Sequence, residues 1–334
     1  MRIEDFDYPL PKEQIAQYPQ RERDESRLLV YRRDDRGLEH TVFKEITRYL
    51  LAGDVLVLNN TKVIPARLKA TDERGRPVDM LLLERACEHE WFCLVKGVKG
   101  RERERVIRIG ELEGTVRKDG TFWILRLPYD VEQLLPSLGT MPLPPYIKRD
   151  VLPLDFERYQ TVYAEEPGSI AAPTAGFHFT EALLQRLMEQ GVHVVKVTLH
   201  IGIGTFSIPK KERVEDHRME REFYSADGAV WQEILCAKRE GRRVIACGTS
   251  VVRTIETIFS KPSASLRGFT DLFIYPGYTF AVVDGLITNF HLPRSTPLLL
   301  VAAFMGKEEL FRCYEEAIRE GYRFLSYGDA MLIL

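Results

Sequence analysis

The feature that most constrains this chain is a run of short β-type segments that interrupts an alternation of helices and strands. Between residues 66 and 140, five segments follow one another with turn residues between them and little helical periodicity: PVDMLLLER, EWFCLVK, RVIRIG, LEGTVRK and TFWILRL. The Asp-Gly pair in KDGT (118–121) predicts a hairpin turn. About 75 residues of this kind favour a small closed or nearly closed β-barrel, because closure removes exposed sheet edges.

The sequence before this stretch predicts an α/β arrangement. SRLLVYRR (26–33) and LEHTVF predict a hairpin, FKEITRYLLAG predicts a helix capped by Gly53, and DVLVLNN predicts a buried strand. After the stretch, the proline-rich residues 141–153 predict an irregular return path, because proline is excluded from helix interiors and central strands. The β-type stretch is therefore expected to be an insertion.

The second half returns to the alternation of helices and strands. Thr180 is expected to cap a helix, VHVVKVTLHIGIGTF to form a strand, and RRVIACG to be a buried strand that runs into a helix. Residues 270–306 predict a strand, a Pro-Gly turn that closes a hairpin, and a helix with Pro297 near its first position. Residues 307–320 predict a last helix.

These patterns together predict a mixed α/β (α+β) fold. We expect a large domain of residues 1–65 and 141–334, and an inserted all-β barrel domain of residues 66–140.

Composition narrows the class of protein. The chain has 45% hydrophobic and 29% charged residues, its longest apolar run is too short to cross a membrane, and MRIEDFDYPL resembles no secretion signal. We therefore expect a soluble cytoplasmic protein.

Five cysteines without CxxC spacing and seven histidines without HExxH spacing predict reduced thiols and no metal. A net charge of −2 means that any anionic partner must meet a local patch.

Two strand ends followed by small residues could bind anions. GIGTFS (202–207) resembles a dinucleotide loop but is not followed by an apolar helix, so we interpret it as a tight turn. In CGTSVV a strand is followed by a helix whose cap is expected to be Thr249 or Ser250. The free N–H groups of the first turn of this helix, with Arg253 one turn later, could hold a carboxylate or phosphate. Many helices begin in this way without any ligand.

Two histidines follow phenylalanine in turns. His178 lies between two phenylalanines in AAPTAGFHFTEALL, and His291 lies in TNFHLPRST. Either could be a general acid or base near neutral pH, or a buried histidine hydrogen-bonded to the backbone. Tyr275, Tyr278 and Phe290 could hold a cation or stack an unpaired base, or they could belong to the core.

Many segments, in order along the chain, resemble one family. FDYPLPKEQIAQYPQRERDESRLLV, NNTKVIPARL, PLPPYIKRD, YQTVYA, GSIAAPTAGFHFT, VTLHIGIGTFS, GTSVVRT, DLFIYPGY, TNFHLPRST and YRFLSYGDAMLI closely resemble the S-adenosylmethionine:tRNA ribosyltransferase-isomerases of queuosine biosynthesis, from about Asp5 to Ile333. The resemblance is weakest over residues 96–110. HRMERE also departs from the family pattern, which has a second histidine where this chain has Glu220, so we assign Glu220 no role.

The resemblance implies an unusual use of S-adenosylmethionine. Its ribosyl group would be transferred and isomerised onto the aminomethyl group of a 7-deazaguanine at the wobble position of tRNA, giving epoxyqueuosine-tRNA with release of adenine and methionine. It also implies a large domain around a mixed β-barrel with flanking helices, and a monomer. No cofactor or metal would be needed, because S-adenosylmethionine is a consumed substrate. With a net charge of −2, tRNA binding should use few phosphate contacts and depend weakly on salt.

Within the resemblance, PTAGFHFT would be a substrate loop in which Gly176 lets backbone approach the ligand. Thr249, Ser250 and Arg253 would hold the methionine carboxylate. The candidate catalytic residues are Thr174, His178, Asp271 and His291, and the candidate substrate-binding residues are Gly176, Phe177, Thr249, Ser250, Arg253, Tyr275, Asn289, His200 and Arg67.

Two other functions stay open on the sequence alone. An S-adenosylmethionine-dependent RNA methyltransferase of unusual fold would release S-adenosylhomocysteine in place of adenine and methionine. A non-catalytic RNA-binding module would bind anticodon stem-loops and release no adenine.

Overall fold

The computed structural model describes residues 1–98, 104–202, 204, 211–260 and 265–334. Its strands are β1 Arg27–Tyr31, β2 Leu38–Val42, β3 Val55–Asn59, β4 Thr61–Val63, β5 Arg67–Asp72, β6 Pro77–Cys87, β7 Glu90–Lys96, β8 Glu104–Ile109, β9 Leu112–Asp119, β10 Phe122–Arg126, β11 Gly139–Thr140, β12 Glu166–Ser169, β13 His193–Leu199, β14 Glu222–Ala226, β15 Val244–Cys247, β16 Arg267–Thr270, β17 Gly285–Asn289 and β18 Ala330–Ile333. Its α-helices are α1 Val131–Leu138, α2 Pro153–Arg158, α3 Glu181–Glu189, α4 Gly228–Arg239, α5 Thr249–Phe259, α6 Thr296–Met305 and α7 Lys307–Arg319. Within the described ranges, no helix has the length and apolar character needed to cross a membrane.

A nine-stranded mixed sheet organises the large part of the molecule. Its order is β16-β14-β13-β3-β15-β17-β18-β1-β2, and the four strands β13, β3, β15 and β17 are parallel to one another. β3 is buried along its whole length because apolar layers cover both faces of the sheet. Val55 and Val57 pack on the side of α5, and Leu56 and Leu58 pack on the side of α3. The mixed α/β class is confirmed.

A closed antiparallel barrel forms the smaller unit. Strands β5, β6, β7, β10, β9 and β8 pair in that order, and β8 pairs back onto β5 through Thr71 with Arg108 and Asp72 with Ile107. Side chains such as Trp91, Val116 and Leu125 fill its interior. The hairpin turn predicted at KDGT joins β9 to β10, with Gly120 at φ +56°. The predicted barrel is therefore confirmed.

The chain leaves the large sheet and returns to it at neighbouring positions. β4 lies just before the barrel strands, and it pairs in parallel with β12, which follows the return path. α1, capped by the side chain of Asp130, lies between the last barrel strand and β11. The division into residues 66–140 and the rest of the chain stays a prediction.

Three local expectations were wrong. The segment after β2 forms a short 3-10 helix, Phe43–Arg48, where an α-helix was expected, because its buried residues Phe43, Ile46 and Tyr49 recur every three residues, the period of a 3-10 helix. β16 and β17 are not a hairpin, since β16 pairs with β14 and β17 lies between β15 and β18. α5 is not capped by Thr249 or Ser250, since its N-cap is Gly248 at φ +93°. The turn expected at 202–207 lies largely outside the described residues.

Glu256 holds the loop between β16 and β17 in place of a hairpin partner. It is fully buried on α5, and its two side-chain oxygens accept hydrogen bonds from the backbone N–H groups of residues 281, 282 and 283 (2.9, 3.0 and 3.2 Å) and from the Tyr278 hydroxyl (3.1 Å). A side chain on a distant helix thus supplies the acceptors that a β-ladder would otherwise supply.

We expect Glu256→Gln to destabilise the fold by at least about 2 kcal/mol, because the new amide would point two donors at backbone donors. Urea unfolding measures this change. The exposed Glu315 on α7 is the matched control, and Glu315→Gln should change the free energy of unfolding by less than about 0.5 kcal/mol. Equal effects of the two substitutions would contradict this account of the loop.

Candidate functional site

A cavity lies where the four parallel strands end. β3, β13, β15 and β17 finish at the same edge of the sheet, and the cavity walls include Leu199, Gly248 and Asn289 from the ends of three of them. The start of α6 and residues 272–274 of the loop close the other sides. In open α/β sheets, ligands bind in the crevice outside the carboxyl ends of the strands.

Asn59 ties these strand ends together. It is fully buried, its Oδ1 accepts hydrogen bonds from the backbone N–H groups of Thr61 and Leu199 (both 3.1 Å), and its Nδ2 donates to the Leu199 carbonyl (3.0 Å) and the Ser250 hydroxyl (3.1 Å). These bonds fix the end of β3 to the end of β13 and to the first turn of α5.

The first turn of α5 faces the cavity. Gly248 adopts a left-handed conformation that turns the chain sharply from β15 into the helix, and among the described residues no side chain caps the N-terminal N–H groups. Gly248, Thr249 and Ser250 all line the cavity. The positive end of a helix dipole with uncapped N–H groups favours an anion at this position.

Arg253 stands one turn further along α5 and also lines the cavity. Its side chain forms a buried ion pair with Glu222 through Nη1, and its Nε donates to the Leu272 carbonyl (3.0 Å). The remaining nitrogen, Nη2, is buried and donates no hydrogen bond within the described residues. Arg253 therefore has an unused charged donor beside the helix N-terminus.

His291 is the histidine that lines the cavity. Its Nε2 lies 2.7 Å from the Thr288 hydroxyl, and its backbone is held by the hydroxyls of Tyr8 and Tyr314. Among the described residues nothing hydrogen-bonds to its Nδ1. Burial lowers the pKa of His291 to about 3, so the imidazole is neutral near pH 7.

His178 lies behind the cavity wall. It is 3% exposed; its Nδ1 is 2.6 Å from the Ser26 hydroxyl, and its Nε2 is 3.2 Å from Asn289 Nδ2. Because an amide nitrogen only donates, Nε2 accepts and Nδ1 carries the proton. Asn289 Oδ1 in turn accepts from the Thr174 hydroxyl (2.8 Å) at the cavity surface. Both ring nitrogens are thus used, and the geometry fits positioning of Asn289 better than direct proton transfer.

The structure brings six of the candidate site residues to the cavity and leaves seven outside it. The six are Thr174, Thr249, Ser250, Arg253, Asn289 and His291. The seven are His178, Gly176, Phe177, Asp271, Tyr275, His200 and Arg67.

Packing accounts for the two neighbours of His178. A Cβ at Gly176 would lie 2.0 Å from the Tyr163 hydroxyl oxygen, so this glycine permits close packing inside the protein and not the expected approach of a ligand. Phe177 packs its ring against Tyr159 and Tyr327.

The other outlying candidates have partners of their own. Arg67 forms a bidentate pair with Asp79 in the barrel (2.9 and 2.5 Å). His200 stacks on Phe223 and lies on the face of its strand opposite to the cavity-lining Leu199. Tyr275 contacts Phe273, and Asp271 is exposed just before the loop residues that form the wall.

The sequence analysis missed several residues of the site. Tyr146 and Ser326 line the cavity from segments far apart in the chain, joined by a 2.6 Å hydrogen bond between their hydroxyls. Glu222 was missed as the partner of Arg253. Asn59, the first asparagine of DVLVLNN, was not a candidate either, and its position at the end of an apolar strand is the signal that could have found it.

We expect the burial of His178 to make stability depend on pH. An unfolded histidine titrates near pKa 6.5, whereas burial, with Arg323 and Arg23 adding to it, lowers the pKa of His178 to about 3. As pH falls from about 6.5 towards about 3, the unfolded state binds a proton on this histidine that the folded state does not bind. The wild type should therefore lose about 2 kcal/mol more than His178→Gln between about pH 6.5 and about pH 5.

Urea unfolding at several pH values measures this difference. The exposed His89, replaced by Gln in the same way, is the control. Parallel pH curves for wild type and His178→Gln would rule out a neutral, buried imidazole at this position.

Comparisons with known proteins agree along the whole chain. A family model described as "Queuosine biosynthesis protein" matches residues 3–333. The chain is 50% identical to the S-adenosylmethionine:tRNA ribosyltransferase-isomerase of Carboxydothermus hydrogenoformans and 49% identical to that of Thermotoga maritima, with 100% of each chain covered. A crystal structure of the S-adenosylmethionine tRNA ribosyltransferase from Thermotoga maritima matches 99% of this chain and 100% of its own, with a TM-score of 0.58 and 39% identity. The chain therefore belongs to the queuosine biosynthesis protein family, that of the S-adenosylmethionine:tRNA ribosyltransferase-isomerases.

Proposed function

We propose that this chain transfers and isomerises the ribosyl group of S-adenosylmethionine onto the aminomethyl group of 7-aminomethyl-7-deazaguanine at the wobble position of tRNA. The products would be epoxyqueuosine-tRNA, adenine and methionine. Membership of the family supports this reaction. The observation that carries its assignment to the cavity is the unused donor of Arg253 beside the uncapped start of α5.

The methionine carboxylate of S-adenosylmethionine would bind at that point. The guanidinium Nη2 and the first N–H groups of α5 both donate, and a carboxylate accepts from several donors at once. The ion pair with Glu222 holds the guanidinium in place, and the Gly202 N–H in turn donates to Glu222 Oε1 (2.8 Å). The carboxylate would thus meet a preorganised site.

The sulfonium of S-adenosylmethionine acidifies the ribose 5′-methylene, so a general base of moderate strength can remove its proton. His291 would take that proton on Nδ1, while Thr288 fixes the ring through Nε2. Burial lowers the pKa of His291, so the ring is neutral near pH 7 and can accept the proton, and the imidazolium formed would then pass it to adenine as it leaves. Thr174 and Asn289 would present polar groups to the same space, held from behind by His178.

S-adenosylmethionine would be consumed as a substrate, and no metal or further cofactor would take part. We propose a monomer that acts on tRNA in the cytoplasm, supported by the family resemblance.

The products test this function. We expect incubation with S-adenosylmethionine and tRNA carrying the aminomethyl-deazaguanine to release adenine and methionine, and nucleoside mass spectrometry to find epoxyqueuosine. His291→Gln should slow adenine release at least about 100-fold, since proton transfer contributes about 10²–10⁴-fold. Release of S-adenosylhomocysteine by the wild type would indicate methylation instead and overturn the proposal.

If Arg253 binds the methionine carboxylate, replacing it should weaken binding of S-adenosylmethionine without slowing the chemical step. Arg253→Lys keeps a positive charge beside Glu222 but removes the guanidinium donor, so KM for S-adenosylmethionine should rise about 10-fold or more while kcat changes little.

Isothermal calorimetry with two ligands provides the control. S-adenosylhomocysteine carries the carboxylate and 5′-methylthioadenosine does not, so Arg253→Lys should weaken binding of the first alone. An equal loss for both ligands would place the carboxylate elsewhere.

A further inference from the structure

A second pocket adjoins the cavity, and three arginines converge on it. Arg23, Arg158 and Arg323 line this arginine pocket together with Ser26 and residues 177–178 and 326–328. It shares Ser326 with the cavity described above. None of the three arginines was a candidate in the sequence analysis.

Backbone carbonyls, and not carboxylates, accept most hydrogen bonds from these guanidinium groups. The acceptors are the carbonyls of Phe177 and Glu157 for Arg23, of Gln20 and Arg21 for Arg158, and of Tyr18 for Arg323, at 2.8–3.3 Å. A carbonyl satisfies a donor but does not neutralise its charge. Asp329 Oδ1 lies 3.8 Å from Arg323 Nε, and the exposed Glu157 attracts Arg23. Positive charge is therefore in excess.

Several donors in the pocket are buried and unused. Nε of Arg158 and both Nε and Nη2 of Arg323 donate no hydrogen bond within the described residues. An unsatisfied buried donor destabilises the folded protein, and more so when it is charged. The pKa of Arg23 is lowered to about 10, first by burial and then by repulsion from Arg158. The pocket is narrow, with a volume of about 20 Å³, so an oxyanion would lie at its mouth, where its charge would relieve the repulsion between the guanidinium groups.

An exposed aromatic residue adjoins the pocket along the chain. Tyr18 directly precedes the pocket-lining residues Pro19 and Gln20, it is 55% exposed, and its carbonyl accepts a hydrogen bond from Arg323. The guanidinium of Arg149 lies 4.6 Å from the ring centroid, and Arg149 is paired with Asp155 (2.7 Å), so it braces the ring without adding net charge. Exposed aromatic rings beside cationic groups are the usual surface for stacking unpaired RNA bases.

We propose that the arginine pocket binds a backbone phosphate of RNA, with the base of an adjoining nucleotide stacked on Tyr18. The inference rests on the proposed function, in which tRNA is the substrate. A phosphate is the oxyanion whose geometry matches several guanidinium forks. Because Ser326 belongs to both pockets, this contact would hold the anticodon loop beside the cavity, where a splayed base could enter.

The salt dependence of RNA binding tests the pocket. An unmodified anticodon stem-loop is titrated with protein, without S-adenosylmethionine, over a salt series while fluorescence anisotropy is followed. Arg158→Gln and Arg323→Gln should each weaken binding about 10-fold at low salt. Each should lower the slope of log affinity against log salt by up to about 0.7–0.9, the value for complete loss of one phosphate contact.

Two further variants make the test specific. Arg33 also donates to backbone carbonyls, those of Asp284 and Leu334, but lies outside the pocket, and Arg33→Gln should leave affinity and slope at wild-type values. Tyr18→Ser alters an exposed side chain, and it should weaken binding about 10-fold with an unchanged slope. This variant tests the surface even if an arginine variant fails to fold.

Unchanged slopes in folded arginine variants would overturn the proposal, as would an equal loss in Arg33→Gln. Inorganic phosphate tests the other source of the oxyanion. If it raised the Tm of the wild type but not of Arg158→Gln, while the RNA slope stayed unchanged, the pocket would bind free phosphate and not RNA. If the arginine variants show reduced salt slopes but the wild type releases no adenine, the phosphate site is supported and the proposed function is refuted. If the wild type releases adenine but the variants keep the wild-type slope, the function is supported and the phosphate site is refuted.

Discussion

The common level at which β13, β3, β15 and β17 end is the constraint on which the rest of the site depends. Apolar layers cover both faces of the sheet, so the interior of these strands offers no place for polar chemistry. Polar side chains therefore collect where the strands stop. Asn59 fastens two of the strand ends to α5, and Asn289, at the end of β17, reaches both His178 and Thr174. The cavity is the space that these fixed ends enclose.

Buried polar residues at this edge differ in whether all their polar atoms have hydrogen-bond partners within the protein. Those that do hold the structure together, and those that do not are available to a ligand. His178 and Glu256 are buried with their polar atoms matched to partners, so they hold neighbours in place. Arg253 and Arg323 are different, because one buried guanidinium nitrogen of Arg253 and two of Arg323 donate to nothing in the described structure. Buried donors of this kind call for an explanation, and a bound ligand is one. They are the reason for proposing an anion at each of the two pockets that share Ser326.

Sequence patterns predicted the elements better than their partners. The alternating segments of residues 66–140 carry enough local information to indicate a barrel, and the apolar run of β3 indicates a strand buried on both faces. The hairpin expected around the Pro-Gly turn failed because the acceptors for that loop come from Glu256, which no local pattern reveals. The prediction that His178 is a catalytic residue of the cavity has a similar limit. The sequence shows an ionisable group between aromatic residues, but it does not show that Ser26 and Asn289 occupy both ring nitrogens.

For the same reason, the net charge of the chain could not predict where RNA would bind, because sequence does not show which distant residues meet in the fold. A net charge of −2 excludes recognition by a generally basic surface, yet it permits a few unpaired arginines in one pocket. Arg23, Arg158 and Arg323 come from three distant segments and meet only after β18 has returned beside β1 and β17. A recognition surface of this kind binds through position more than through charge density. It suits an enzyme that must place one base of a loop beside a sulfonium, because each added phosphate contact would strengthen binding to every other RNA equally.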